Sequence, residues 1–263
     1  MAPTENEIRA AKDWIVSRLG MERAAEEYLG RILRKYARKI AEVSLRYGIA
    51  PQRFRFSANP ALEREVRAIL AQVRDLLYGR AEYSCTFGKD DDEHVSPVFL
   101  EADKGKTFRQ RLAEYVSRWG YEVEAGIAAA LLSGSRDVKE IADAVVDYVE
   151  HPYDNPEVKK HRGEGAASKL LKVPHYGGGR AIAAFAALAL LLRQTTARAW
   201  MREWKDRNGD ALGFYVMRGS SYPCSACDME CGYLHPMSDE GVVPVHPNCC
   251  CYTVYVRRKD YEG

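Results

Sequence analysis

Six of the seven cysteines lie close together near the C-terminus, between Cys224 and Cys251. Cys224 and Cys227 form a C-x-x-C pair, and the later segment that begins at His246 supplies an H-x-x-C-x-C pattern. Thiolate and imidazole groups at these spacings are typical of a closed tetrahedral Zn²⁺ site, with Zn–S distances of about 2.3 Å. Such an ion would link two segments that we expect few apolar contacts to join, which strongly constrains how this end of the chain can fold.

Five side chains compete for four metal positions. The preferred ligands are Cys224, Cys227, Cys249 and Cys251. If this segment enters a strand, Cys249 and Cys251 point to one face and Cys250 to the other, so Cys250 is the poorest candidate. His246 either replaces one of the cysteines or hydrogen-bonds a thiolate from outside the metal shell.

Other ligands and other chemistries stay open at this point. Cys231 and His235 are reserve ligands, and a group of buried free cysteines without metal is an alternative. A redox dithiol of Cys224 and Cys227 would need a strand-to-helix setting in a βαβ fold, which the sequence does not offer. A catalytic zinc needs an open position and a nearby acid or base, and the deaminase pattern H-x-E…P-C-x-x-C is absent. We therefore favour a closed structural site.

Composition and charge exclude several broad classes. The chain has 263 residues, 46% of them hydrophobic, which is enough for a core without disulfides. A net charge of +2 argues against strong nucleic-acid binding driven by overall charge. The polar N-terminus lacks the features of a secretory signal, and the apolar stretch 181–192 is shorter than the roughly 20 residues that span a membrane. We expect synthesis in the cytoplasm, where clustered thiols favour metal over disulfides, and a buried helix at 181–192.

Helical periodicity predicts a mainly α fold. A capping pattern at Thr4 and Glu7 predicts a helix to about Arg18, and a long amphipathic helix follows and ends before Gly48. Further helices are predicted at 60–79, 107–132, 137–149 and 181–208. Helical periodicity stops at Ser133-Gly134-Ser135, so residues 1–134 are predicted to form an N-terminal helical region.

Two segments between the helices carry concentrated charge. The loop around Asp90–Asp92 could bind a cation, but it lacks the spacing of an EF-hand, so a solvated acidic loop is favoured. Residues 151–180 are rich in proline, glycine and basic side chains, and they predict a flexible basic loop. Its part 159–180 is a candidate surface for DNA phosphates or an acidic partner.

Aromatic and β-branched residues predict two strands, Phe214–Met217 and 252–256, on either side of the cysteine cluster. The predicted fold is therefore mainly α, with a helical body and a small C-terminal β hairpin or ribbon that a structural zinc ion staples.

The second half of the chain follows a recognisable order of motifs. A helix with an Arg-Thr-Glu-like stretch is followed by a strand, by C-x-x-C with a glycine soon after, and by a closing His-Pro-x-Cys-x-Cys. The matching positions are Arg193, Cys224, Cys227, Gly232, His246, Pro247, Cys249 and Cys251. Residues 135–263 thereby resemble the phage head-morphogenesis family, the Mu-F-like minor head proteins of tailed phages. Gln194-Thr195 stands where Thr-Glu is usual, and Cys250 replaces the usual arginine.

The resemblance implies a non-enzymatic minor capsid protein that associates with the portal and assists head assembly or genome packaging and ejection. It implies a location in the virion interior, and in the host cytoplasm during assembly. The portal protein is the implied partner. Further candidates are capsid or scaffold protein, and DNA at the loop 159–180. We expect no interaction with a membrane.

Two other functions compete with this interpretation. A zinc-ribbon protein that binds nucleic acid is disfavoured because residues 222–246 contain no lysine or arginine. A phage-associated toxin or other enzyme is disfavoured because no catalytic triad or carboxylate pair can be assigned, and because we expect no toxin tail after Gly263. We therefore expect a protein that is not an enzyme.

Overall fold

The computed structural model describes most of the chain. Its described backbone comprises residues 5–85, 105–150, 184–219, 221, 223–239, 242–245, 249 and 251–261. Side chains are described within these ranges except at 5–22, 81–85, 148–150 and 260–261. Several predicted features lie outside the described residues and stay predictions: the acidic loop Asp90–Asp92, the basic loop 151–180, His246 and Cys250.

The described part is mainly helical and carries a small C-terminal sheet of three strands, which confirms the predicted fold class. Its α-helices are α1 (Glu5–Leu45), α2 (Pro60–Cys85), α3 (Phe108–Leu132), α4 (Val138–Glu150), α5 (Ala184–Arg207), α6 (Ser225–Glu230) and α7 (Arg258–Tyr261). Short 3-10 turns at Pro51–Arg53 and Phe56–Ala58 lie between α1 and α2.

Local signals explain where the helices begin and end. The side-chain oxygen of Asn59 accepts hydrogen bonds from the N–H groups of Ala61 and Leu62, at 2.9 and 3.3 Å, and so caps α2. Gly134 has a φ of 96° just after α3 ends, a conformation that favours glycine. The predicted helix end near Arg18 is wrong, because α1 continues through this position. The glycine that follows, Gly20, does not end the helix, since an interior glycine costs a long helix only about 1 kcal/mol.

The chain forms two compact units. The helical unit comprises Tyr28–Gly79 and Arg109–Leu188, and the sheet unit comprises Met1–Glu27, Arg80–Phe108 and Ala189–Gly263. The two units are defined by their compactness and are not continuous in sequence. They do not test the predicted regions 1–134 and 135–263, which stay predictions.

The helical unit has an apolar core that includes the fully buried Trp119 of α3. One turn further along the same helix, the buried carboxylate Glu122 lies 3.8 Å from the guanidinium of Arg118. The N–H of Ala184, the first residue of α5, donates to the same carboxylate oxygen at 2.9 Å. The carboxylate of Glu122 is therefore buried, with a guanidinium and a backbone N–H as its neighbours.

Helix α5 contains the apolar stretch from the sequence. Its residues 184–192 are mostly buried, which confirms the predicted buried helix for the part that is described. Among the described residues, none of the helices combines the length and the apolar character needed to span a lipid bilayer.

The sheet of the sheet unit has β1 (Ala211–Met217) at its centre, with β2 (Leu234–Pro236) and β3 (Tyr252–Arg257) antiparallel on either side. Phe214 of β1 lies opposite His235 of β2 and Tyr255 of β3. Trp204 of α5 stacks on Tyr255 with ring centroids 4.6 Å apart, so α5 covers this face. The two predicted strands are confirmed, and the sequence did not predict the short third strand.

Candidate metal centre

Three cysteine thiols lie together on the α5 side of the sheet. The sulfur atoms of Cys227, Cys249 and Cys251 all lie within 4.8 Å of one another. The Cys227 and Cys249 sulfurs are 3.8 Å apart, and none of the three residues is more than 4% exposed. None of the cysteine side chains in the described ranges forms a disulfide. This arrangement can hold a metal ion.

The three thiols belong to an apolar cluster built on strand β1. Cys227 lies on the short helix α6, while Cys249 and Cys251 lie just before β3. Phe214 and Val216, two residues apart on β1, point to the same face and pack in this cluster. Its other buried members are Met201, Met237, Val242 and Val243. The expectation that few apolar contacts join these segments is therefore wrong.

Cys224 lies near these three thiols but outside the group whose sulfurs are all within 4.8 Å of one another. It immediately precedes α6, is partly buried and packs against the same apolar cluster. Its thiol hydrogen-bonds with the side chain of Cys227 and with the backbone N–H groups of Cys227 and Ala226. The structure thus groups three of the four preferred cysteines and places Cys224 beside them, and its role as a ligand stays a prediction.

Helix α5 holds the loop that carries Cys249. The buried Arg193 donates a hydrogen bond from Nη2 to the carbonyl oxygen of Cys249, at 2.8 Å. Its Nε lies 3.5 Å from the carboxylate of Glu26. The side-chain amide of Gln194 donates to the carbonyl of Pro244, at 3.1 Å. Buried carbonyl groups need such donors, so α5 fixes the backbone on one side of the thiol group.

The thiols differ in how readily they ionise. Burial raises the pKa of the Cys227 thiol, and its neighbours Cys251 and Cys249 raise it further. Burial also raises the pKa of Cys251. The backbone N–H of Cys227 is the largest of the effects that lower the pKa of the Cys224 thiol. A bound divalent cation would favour the thiolate at all of these positions, because coordination deprotonates thiols.

The two reserve ligands have different environments. Cys231, which follows α6, is half-buried beside the apolar cluster, and burial raises its pKa. His235 is buried between the rings of Phe214 and Tyr233, with centroids 5.0 and 4.1 Å away. Its Nε2 lies 2.8 Å from the carbonyl oxygen of Glu230, which can only accept, so Nε2 carries the hydrogen. His235 is therefore a packed and hydrogen-bonded core residue.

The sequence analysis overlooked Arg218, which follows β1. Its Nη1 donates to the carbonyl oxygen of Cys224 at 3.0 Å. A signal for it was present, since no lysine or arginine occurs between Arg218 and Arg257, the interval that contains six cysteines. An isolated cation before such an interval is a candidate partner for thiolates.

No model of a known protein family matches the sequence, and no curated protein or solved structure matches it either.

Proposed function

We propose that the chain is a minor head protein of a tailed phage, and that a structural zinc ion fastens its C-terminal end. The observation that carries the proposal is that motif positions far apart in the sequence meet at one site. Arg193 of α5 contacts the backbone of Cys249, whose sulfur lies beside those of Cys227 and Cys251. If the motif positions belong to one structural unit, they are expected to lie close together in this way.

Zinc is the ion that we propose for this thiol group. Four sulfurs at about 2.3 Å from one tetrahedral zinc ion are about 3.8 Å from one another. The Cys227 and Cys249 sulfurs have that separation, 3.8 Å, before any ion is considered. Thiolate ligands select zinc over hard cations such as Mg²⁺ or Ca²⁺. Cys224 is the preferred fourth ligand, and His246 is the alternative.

The burial of the site favours a structural role for the metal. A catalytic zinc keeps one position open to water or substrate, whereas structural sites are closed by four protein ligands. Cys227, Cys249 and Cys251 are almost fully buried, and apolar side chains surround them. We therefore propose a protein that is not an enzyme, in which the metal stabilises the segments between β1 and β3.

Metal analysis of the purified chain tests the zinc proposal. We expect about one zinc ion per chain, as a single tetrahedral site requires. Cys249→Ser should lower the zinc content and destabilise the sheet unit, because it removes a buried ligand. Cys231→Ser is the matched control, since it removes a neighbouring thiol outside the preferred set and should keep the zinc. Full zinc content in Cys249→Ser would contradict the ligand assignment.

The portal is the proposed partner and the virion interior the proposed location. The resemblance supports both, because proteins of this kind act inside the head at the portal vertex. The full chain should co-purify with the portal ring of the phage that encodes it, and the complex should survive high salt. DNA binding through phosphate contacts would instead weaken steeply with salt. Binding to DNA alone, released by salt, would refute the portal assignment and favour a nucleic-acid-binding protein.

A further inference from the structure

Arg218 connects the end of β1 to the segment that begins the metal centre. Its Nη1 donates to the carbonyl oxygen of Cys224, at 3.0 Å, and to the carboxylate of Asp228, at 2.7 Å. The Arg218 side chain is 25% exposed and that of Asp228 is 62% exposed. One partly buried nitrogen therefore contacts both the backbone before α6 and a side chain on α6.

The guanidinium of Arg218 lies beside the proposed metal centre, because its Nη1 donates to the backbone carbonyl of Cys224, the residue whose thiol is the preferred fourth ligand.

A shell of four thiolates around Zn²⁺ carries two surplus negative charges. Burying such a charge is costly unless a nearby cation or hydrogen-bond donor offsets it. Asp228 is largely exposed to water, which screens its own charge, while it holds the guanidinium in place. No other lysine or arginine follows in the sequence until Arg257, after the last cysteine. Arg193 contacts the backbone of Cys249 from α5, and Arg218 is the cation that contacts the backbone of Cys224.

We propose that Arg218 is a positioning residue of the metal centre: it fixes the backbone of Cys224 so that this thiol completes the shell, and it offsets the surplus charge of the bound thiolates. The inference rests on the metal centre proposed above. It adds a residue outside the ligand set and names Cys224 as the ligand that depends on it.

Zinc affinity measured by competition with a chelator tests this role, using the full chain. Replacing a residue that supports metal ligands typically weakens metal binding by about ten- to a hundredfold, and we expect this for Arg218→Gln. Arg218→Lys keeps the charge but not the planar fork, so its loss should be smaller. Arg207→Gln is the matched control, because Arg207 is an exposed arginine in the same unit that pairs with Glu203.

Thiol alkylation of the zinc-loaded protein supplies a second measurement that a general loss of stability would not reproduce. Cys224 should be protected in the wild type and selectively reactive in Arg218→Gln, while Cys227 stays protected. Added salt should weaken zinc binding by the wild type more than by Arg218→Gln, because the variant lacks the screened charge.

The outcomes separate this proposal from the one it depends on. If the wild type binds no zinc, the metal centre itself is refuted. If the wild type binds zinc, then wild-type affinity together with full protection of Cys224 in Arg218→Gln overturns the role of Arg218. Where Arg218→Gln does not fold, the same result in Arg218→Lys overturns it.

Discussion

We expect Glu122 to make the helical unit less stable as the pH rises, whereas most carboxylates have the opposite effect. Its carboxylate is buried on α3, 3.8 Å from the guanidinium of Arg118. Burial raises its pKa from 4.5 to about 7, although the N–H of Ala184 and the charge of Arg118 both lower it. The desolvation of the carboxylate therefore outweighs its two favourable contacts.

The sign of the effect follows from proton linkage. Because the folded-state pKa lies above the unfolded value, the folded chain binds more protons between pH 4.5 and about 7. The contribution of Glu122 is fully present below pH 4.5 and is lost as the pH rises through about 7. A tenfold change in proton affinity corresponds to about 1.4 kcal/mol, so the whole loss is about 3 kcal/mol.

Glu122→Gln should remove this loss. The amide has nearly the same shape, keeps an oxygen that can accept from Ala184, and never ionises. We expect the variant to match the wild type near pH 4.5 and to have a free energy of unfolding about 3 kcal/mol higher near pH 8. Urea unfolding followed by circular dichroism at several pH values gives this difference directly.

The control is Glu42→Gln, which removes an exposed carboxylate of α1 in the same unit. It should change the free energy of unfolding little, because substitutions of exposed side chains usually do. If the difference between Glu122→Gln and the wild type stays constant from about pH 4.5 to 8, the buried carboxylate does not titrate as we infer. A variant that is less stable at high pH would reverse the sign and refute the reasoning.

Two further predictions concern backbone positions. In Gly213→Ala the new Cβ would lie 2.3 Å from the carbonyl oxygen of His235, so we expect a loss of about 1–3 kcal/mol in thermal or urea unfolding. Gly209→Ala is the control, because its Cβ would meet no atom within 4 Å, and equal losses in the two variants would contradict the close approach. Asn59→Ala removes the cap of α2 and should cost about 1 kcal/mol, whereas Asn59→Asp should keep most of that stability, and no loss in Asn59→Ala would contradict the capping role.

The helices and the two longer strands were predictable because each repeats a local pattern. Apolar residues at helical spacing predicted α3 and α4 to within one residue of the bounds that the structure shows, whereas α2 continues six residues beyond the predicted end at Gly79, to Cys85. Strand β2 was not predictable in this way, because it has three residues and ends in Pro236, which weakens any strand signal. Its place in the sheet comes from pairing with β1, which is a long-range contact.

The thiol group was predictable in its members but not in its supports. The predicted grouping of Cys249 and Cys251 is confirmed, since both sulfurs lie in the group, but the strand from which it was inferred begins only at Tyr252. Arg193 was noted as a motif residue, but its hydrogen bond to a carbonyl 56 residues away has no local pattern. Arg218 was missed although the lack of other cations up to Arg257 is visible in the sequence, because its partners, the carbonyl of Cys224 and the carboxylate of Asp228, meet it only in the fold.

The backbone around the thiol group is held by hydrogen bonds from side chains of the sheet unit, which would help the proposed metal site to keep its geometry. Arg193 and Gln194 fix the carbonyl groups of Cys249 and Pro244 from α5. Arg218 fixes the carbonyl of Cys224 from the end of β1. Both segments that carry the thiols are therefore held through their backbones by hydrogen bonds within the sheet unit. The chain would therefore lose little conformational entropy when its thiols bind an ion there. The free energy of metal binding would add to that of the apolar packing.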